Sequence, residues 1–374
     1  MFPPPSPDTA APLLHNALSG RQREIAVLAC TNRQFYDLLR NLKFRSVTIT
    51  LNVGIPSSLF TLDRESSARR FAETITRNPD ILKHIEILRI GHEHHHLPVT
   101  AHKWNDDDEQ ISICFILMCQ YPSLKHLTLS MRSVAKITHP LYMAIQDAFS
   151  LPSLSEVSIF AASFPPDLLR ELEQIHTLNV RYFSDLEPTS LSQSRKKCMP
   201  RTLRVHNENA RLGFFSLQYP PRISLECLTS LVLVGSTSSS ASFLKYLLSQ
   251  TAFPLKNLKN LKLFFLGPPG KYRRWQISFD LRKITTLKDL TLGFSILDYH
   301  SNILQEQFQW IVGILDNELV PTVETIHLFI GNVDSQEGWL ERIEGLPWTN
   351  FEAIFLSESN PSPLQKLQLI TKEG

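Results

Sequence analysis

The chain has 374 residues, of which 43% are hydrophobic and 20% are charged, and its 38 Lys and Arg nearly balance its 36 Asp and Glu. This composition is typical of a globular protein with one long domain or two short ones. A formal net charge of only +2 argues against nucleic acid as the main partner, because nucleic-acid-binding domains usually carry a large basic excess. The longest apolar run, residues 111–119, is less than half of the ~20 residues that a membrane-spanning helix needs, so we expect no membrane contact.

The first 19 residues are rich in proline and lack the charged and apolar regions of a secretory signal, so we interpret them as a flexible arm. The five cysteines include no C-x-x-C pair, which predicts buried reduced thiols rather than a disulfide framework or a thiolate zinc site. The chain also contains no N-x-Ser/Thr glycosylation acceptor. These features favour a cytoplasmic or nuclear protein.

Residues 20–50 combine helical periodicity with one strand. Apolar residues recur at helical spacings at Ile25, Leu28, Phe35, Leu39 and Leu42. From Phe44 to Leu51, apolar and polar residues alternate, which predicts a strand with one buried face.

An apolar phrase of the form L-x-x-L-x-L then recurs ten times along the chain. Its first positions are Ile85, Leu124, Leu154, Ile175, Pro200, Leu228, Leu258, Leu287, Val323 and Phe351. The mean spacing is about 30 residues, which is close to the unit size of solenoid repeats. The last two apolar positions of each phrase alternate with polar residues, so we expect each phrase to form one short strand.

Helical spacings separate the strand phrases. Apolar residues three and four apart occur in the segments 71–75, 113–117, 141–145, 168–172, 243–248 and 308–315. Alternating strands and helices predict parallel pairing, because a parallel strand pair needs a crossover of about a dozen residues. The alternative is a doubly wound α/β domain, whose strands would read as continuous apolar runs rather than alternating ones.

The repeated phrase resembles the leucine-rich-repeat family. The segment from Leu28 to Phe35, with Leu39, Leu42 and the strand after Phe44, is similar to the later half of an F-box in many fungal F-box/leucine-rich-repeat proteins. The resemblance implies an α/β fold, an irregular leucine-rich-repeat solenoid with parallel strands on the concave face and helices outside, preceded by a short helical F-box-like segment. The expected organisation is a flexible arm at 1–19, a partial F-box-like segment and first strand at 20–50, the solenoid at 51–360 and a C-terminal tail at 361–374.

In that family the F-box binds a Skp-type adaptor of a cullin-RING (SCF-type) ubiquitin ligase, while the repeats hold the target protein. The resemblance therefore implies a non-enzymatic substrate receptor. Its adaptor-binding residues would be Ile25, Leu28, Phe35 and Leu39. The first helix of the F-box is not visible in this sequence. The alternative is that residues 20–50 only cap the first strand, which would make the chain a repeat scaffold or an inhibitor-like binder without an adaptor contact.

Motifs that carry chemistry are few. The segment from His92 to His96 formally matches H-E-x-x-H, in which two His bind zinc and the Glu acts as a base, but it directly follows a strand phrase and reads as a solvated loop. A hydrolase that uses this loop is the third hypothesis. No nucleophile elbow, P-loop or dinucleotide-binding motif occurs. The sequence predicts no catalytic residue, no metal site and no cofactor.

The polar positions of the strand phrases are the predicted binding surface. If the phrases are strands, their outward side chains form a row on one face of the sheet, wide enough for a specific protein interface. We expect an unknown target protein to bind there. The predicted partner-binding residues are Lys125, His126, Lys259, Lys262, Lys288 and His327. The three lysines from Lys259 to Lys288 favour an acidic patch on the partner.

Overall fold

The computed structural model divides the chain into two compact units. One comprises Met1–Ser130 and Ile137–Leu154, and the other comprises Met131–Lys136 and Ser155–Gly374. The structure describes residues 44–50, 67–91, 108–121, 123–131, 138–161, 166–181, 198–207, 223–235, 244–245, 247–248, 255–265, 281–296, 305, 308–309, 311–315, 322–332, 344–356 and 366–372. The expected flexible arm and the predicted adaptor-binding residues Ile25, Leu28, Phe35 and Leu39 lie outside these ranges.

The first unit alternates strands and helices. In chain order its elements are β1 (Ser46–Thr50), α1 (Ser67–Arg77), β2 (Ile87–Gly91), α2 (Asp108–Cys119), β3 (His126–Met131) and α3 (His139–Phe149), with a 3₁₀ helix at Pro79–His84. β2 pairs in parallel with β1 on one side and with β3 on the other. α1, α2 and α3 coincide with three of the segments in which helical spacing predicts a helix.

The described part of the second unit contains eight strands. They are β4 (Glu156–Ala161), β5 (Thr177–Arg181), β6 (Thr202–Asn207), β7 (Ser230–Gly235), β8 (Asn260–Phe265), β9 (Asp289–Ile296), β10 (Thr325–Asn332) and β11 (Lys366–Lys372). Its named helices are 3₁₀ helices at Pro166–Glu171 and Leu281–Lys283 and the α-helix α4 (Trp348–Leu356). From β4 to β11, each strand pairs in parallel with the next strand in the chain.

Strand order within each unit decides between the two predicted architectures. A doubly wound sheet reverses its strand order at a switch point, whereas the strands here follow chain order. The prediction of an α/β fold with stacked parallel strands, a solenoid-like arrangement, is therefore confirmed. None of the helices in the described part of the chain has both the length and the apolar character needed to cross a membrane.

The same hydrogen-bond pattern opens almost every strand. Two consecutive backbone N–H groups donate to a single carbonyl of the preceding repeat, as Lys259 and Asn260 do to Thr229, and Glu324 and Thr325 do to Lys288. A carbonyl oxygen has two lone pairs and can accept both. The residue that precedes each strand therefore lies outside the strand's alternation of buried and exposed positions, which accounts for the two-residue gap in L-x-x-L.

Stacked apolar pairs form the core of the second unit. The two buried positions of each strand lie directly beside those of its neighbours, as Leu231, Leu261 and Leu290 do in one row. The row extends to Leu367 in β11, and the parallel row extends to Leu369. These two leucines are 48% and 47% exposed, so the apolar rows end at a partly open last strand.

Small polar side chains link successive repeats. Thr286 Oγ1 donates to the carbonyl of Leu258 at 2.9 Å, and Thr322 Oγ1 donates to that of Leu287 at 2.8 Å. In the first unit, Ser123 Oγ lies 2.7 Å from the carbonyl oxygen of Leu82 and 3.0 Å from that of Ile85. Each donor stands one residue before the first apolar position of its phrase. These side chains satisfy backbone carbonyls of the preceding repeat.

The prediction of a strand at the phrase that begins at Phe351 is wrong. The phrase starting at Phe351 lies in α4, and the final strand is instead β11, inside the range 361–374 that we expected to be a tail. The phrase at Phe351 fits a helix equally well, because Trp348 and Phe351 are three residues apart and Pro347 precedes the first turn. Trp348 packs edge-on against Phe308, with ring centroids 4.8 Å apart.

The segment 168–172, expected to be helical, lies largely in a 3₁₀ helix.

We expect Leu261→Ala to lower the free energy of unfolding by about 2–5 kcal/mol, because it opens a cavity in the stacked row. The adjacent Lys262→Ala serves as its control, since Lys262 is exposed and its truncation removes no core packing. Urea unfolding followed by circular dichroism measures both. Equal effects of the two substitutions would contradict the assignment of faces.

Thr286→Val is expected to cost about 0.5–1.5 kcal/mol, because the shape of the side chain is kept while the hydrogen bond to Leu258 is lost. Thr285 next to it is exposed, and we expect Thr285→Val to leave the unfolding midpoint nearly unchanged. The two variants are compared in the same urea titration. A smaller loss for Thr286→Val than for Thr285→Val would refute the inter-repeat bond as a stabilising contact.

Candidate functional site

The predicted partner-binding residues lie on strands, or immediately before them, in both units. In the second unit, Lys259 precedes β8, Lys262 lies within it, and Lys288 precedes β9. All three are exposed. His327 lies in β10 and is half-buried. Lys125 and His126 stand at the start of β3 in the first unit.

The register of the second unit brings Lys262 and His327 near each other. Both stand opposite Thr291 of the intervening strand β9. Neighbouring parallel strands are about 4.8 Å apart, which places the two backbones about 10 Å apart. Thr291 is only 7% exposed. On the side of the sheet opposite the core, Lys262 and His327 therefore flank the buried residue Thr291.

His327 carries an unsatisfied polar atom. Its buried Nδ1 has no hydrogen-bond partner. Buried polar atoms are usually satisfied, so an orphan nitrogen on the exposed face is a feature that a ligand group can complete. In the same row of the sheet, five strands earlier, Asn179 in β5 also has a buried side-chain oxygen without a hydrogen-bond partner.

Lys288 is already engaged. Its Nζ donates to Glu324 Oε1 at 2.7 Å, and this hydrogen bond raises the pKa of Lys288. In contrast, neither Lys259 nor Lys262 has an ion-pair partner in the described chain. The three predicted lysines therefore differ in their availability to a partner. Lys259 and Lys262 have no ion-pair partner among the described residues, whereas the charge of Lys288 is compensated by Glu324.

Two arginines that the sequence analysis did not select extend this charge. Arg201 precedes β6 and Arg204 lies within it, and both are exposed. The register aligns Arg204 with Lys262 through Val232 of β7. We call Arg201, Arg204, Lys259, Lys262 and Lys288 the basic face. The sequence did contain a signal for these arginines. In the weak phrase at Pro200, Arg201 and Arg204 occupy the positions that Lys259 and Lys262 occupy in the phrase at Leu258.

In the first unit, Lys125 belongs to a three-residue ion network. Arg45 Nε donates to Glu86 Oε2 at 3.1 Å, and Lys125 Nζ lies 3.3 Å from Glu86 Oε1. Burial alone would raise the pKa of Glu86, but the hydrogen bonds and charges of Lys125 and Arg45 prevail and lower it. The three residues occupy equivalent positions before successive strands, so the network links the starts of β1, β2 and β3. His126 next to it is half-buried.

The thiols differ in accessibility. Cys114 and Cys198 are buried, whereas Cys227 is exposed in the turn before β7. Burial raises the pKa of Cys114 to about 12 and of Cys119 to about 11, so both thiols stay protonated at neutral pH and are poor nucleophiles. Among the residues that the structure describes, no three His, Cys, Asp or Glu come together in a metal-binding arrangement. The segment from His92 to His96 lies outside those residues.

Comparisons with known proteins name no family for the chain. No protein-family model matches it, and no curated protein matches it. A solved structure of a Bacteroides fragilis protein is similar over 88% of this chain and 76% of its own, at 12% sequence identity and a TM-score of 0.30.

The ion network predicts a pH dependence. A lowered pKa in the folded state means that ionised Glu86 stabilises the fold above the unfolded pKa, near 4.5, and that this contribution is lost as pH falls through the lower folded value. We expect the unmodified chain to exceed Glu86→Gln in stability by about 0.5–1 kcal/mol at neutral pH.

Urea titrations of both proteins from neutral to acidic pH measure this difference, which should shrink below pH 4.5. Glu226→Gln controls for the loss of one carboxylate, because Glu226 is exposed in a turn. A difference that stayed constant or grew on acidification would contradict the proposed network.

Proposed function

We propose that the chain is a non-enzymatic, protein-binding receptor that holds an acidic segment of a target protein on the basic face of its second unit. The observation that carries the proposal is the unpaired state of Lys259 and Lys262. Both are exposed on a regular sheet, so their ammonium groups can pair with carboxylates without breaking an existing ion pair.

The spacing of the charges supports an extended partner. Arg204 and Lys262 stand two strands apart in one row, which corresponds to about 10 Å. Arg201 and Lys259 precede β6 and β8 and carry the same sign of charge, whereas Lys288 is already paired with Glu324. Such a concentration of one sign attracts an opposite charge, speeds its association and disfavours basic partners. Binding should therefore weaken as salt concentration rises.

The F-box resemblance supports the second half of the proposal. The segment that carries Ile25, Leu28, Phe35 and Leu39 is proposed to bind a Skp-type adaptor, so that a cullin-RING ligase ubiquitinates the protein held by the repeats. β1 follows this segment directly, as the repeats follow the F-box in that family. The alternative is that the segment only caps β1, which would leave a scaffold or inhibitor-like binder without adaptor contact.

Co-purification of four full-length proteins tests both halves. They are the unmodified chain, a variant with Ile25, Leu28, Phe35 and Leu39 changed to Ala, the double variant Lys259→Glu with Lys262→Glu, and the control Lys283→Glu. The control makes the same kind of charge change in a 3₁₀ helix. Skp-type adaptor and cullin should be captured by all except the alanine variant, because only that variant loses the apolar adaptor contact.

Target proteins should behave in the opposite way. They should be lost from the double charge reversal and kept by Lys283→Glu and by the alanine variant. If no protein captured adaptor while all four folded, the scaffold alternative would be favoured. Unchanged affinity of every target for the double reversal would show that the basic face is not the binding surface.

A further inference from the structure

Two aromatic side chains interrupt the polar pattern of the exposed face. Phe264 in β8 and Phe329 in β10 pack edge-on with ring centroids 5.5 Å apart. Both are half-buried and alternate with the core residues Leu263 and Leu328, which are 1% and 2% exposed. The two rings therefore lie on the opposite side of the sheet from the core, where they contribute nothing to the stacked leucine rows.

Gly293 makes the aromatic pair possible. It lies in β9 between the two rings, in register with both Phe264 and Phe329. A Cβ at this position would stand 2.4 Å from Phe264 Cδ1, which is far inside van der Waals contact. The ring of Phe264 thus covers the backbone of Gly293 and reaches across to the next strand. Val234 of β7, also half-buried, borders Phe264 on its other side.

The aromatic pair is adjacent to the polar row described above. Lys262 and His327 each stand two residues before a phenylalanine on the same strand, which is a separation of about 6.6 Å. The side chains of residues i and i+2 in an extended peptide are separated by the same distance and point to one side. The ammonium group of Lys262 and the aromatic surface are therefore spaced like two alternate side chains of a bound extended peptide.

We propose that this surface binds an extended segment of the partner in which an acidic residue and a large apolar residue stand two positions apart. The carboxylate pairs with Lys262, and the apolar side chain packs against Phe264 and Phe329. The inference rests on the proposed function and adds the sequence character of the bound segment. Aromatic residues at the centre of an interface commonly supply most of its binding energy, with charges at the rim conferring specificity.

Selection of phage-displayed random peptides against the full-length chain tests the inference. Enriched peptides should contain Asp or Glu two positions from Phe, Trp, Tyr or Leu, and a permuted peptide with the two residues adjacent should bind about tenfold more weakly. Fluorescence anisotropy of the synthesised peptides measures affinity for the unmodified chain, Phe264→Ala, Gly293→Ala, Lys262→Glu and the control Lys283→Glu.

Phe264→Ala removes the ring, while Gly293→Ala keeps the ring but displaces it, so the two variants test the same surface by different means. Both should weaken binding about tenfold, and Lys283→Glu should not. Circular dichroism and urea unfolding establish that each variant is folded. If Gly293→Ala does not fold, Phe264→Ala alone tests the aromatic surface.

The outcomes separate the two proposals. Peptides that respond to Lys262→Glu but not to Phe264→Ala overturn the aromatic site and leave the basic face intact. Peptides that respond to neither substitution overturn the proposed function as well. A selection that enriches no peptide, or enriches acidic peptides without an apolar preference, also overturns the aromatic site.

Discussion

The structure depends on the stacking of one buried apolar pair on the next. A single L-x-L strand has too little surface to fold alone, and it becomes stable only when its leucines contact those of a neighbouring strand. Parallel pairing in chain order meets this requirement for every interior strand of a unit. The shared carbonyls at the strand starts keep the pairs in register, since a shift by one residue would turn Leu261 and Leu263 towards water. The opposite side of the sheet carries no apolar rows of this kind and accommodates more varied side chains.

That freedom explains how a uniform scaffold carries a non-uniform surface. Core positions are restricted to Leu, Ile and Val, whereas the positions between them hold Arg204, Lys262, Thr291 and His327 without cost to the stack. Charge is balanced unevenly along the series of residues that precede the strands. In the first unit Glu86 is flanked by two cations, and in the second Lys288 is satisfied by Glu324 while Lys259 is left unpaired. Among the described residues Lys259 and Lys262 have no ion-pair partner, which is the physical reason for proposing that they take part in recognition.

The sequence predicts the repeating part of this fold well, because periodic apolar residues are a direct record of a repeated buried face. It predicts single elements less well, as the phrase at Phe351 shows, since L-x-x-L-x-L satisfies the three-residue spacing of a helix as well as the alternation of a strand. The candidate site was predicted only in part. Lys262 and His327 could be selected by position, but the pairing of Lys288 with Glu324 and the contact of Phe264 with Phe329 depend on the register between strands far apart in sequence. No local pattern reports that register, and the aromatic pair also depends on the absence of a side chain at Gly293.

The half-exposed leucines of β11 bear on how the chain unfolds. An interior strand is held on both sides, whereas β11 has one paired neighbour among the described strands and gains only part of the burial that its leucines offer. In a linear array with nearest-neighbour energies, fraying begins at the element with the weakest interface. We therefore expect the backbone amides of β11 to open to solvent by local excursions that leave β7, β8 and β9 closed. We expect such a linear array to unfold in steps, with β11 separating from β10 while the strands that carry Lys262 and Phe264 stay formed.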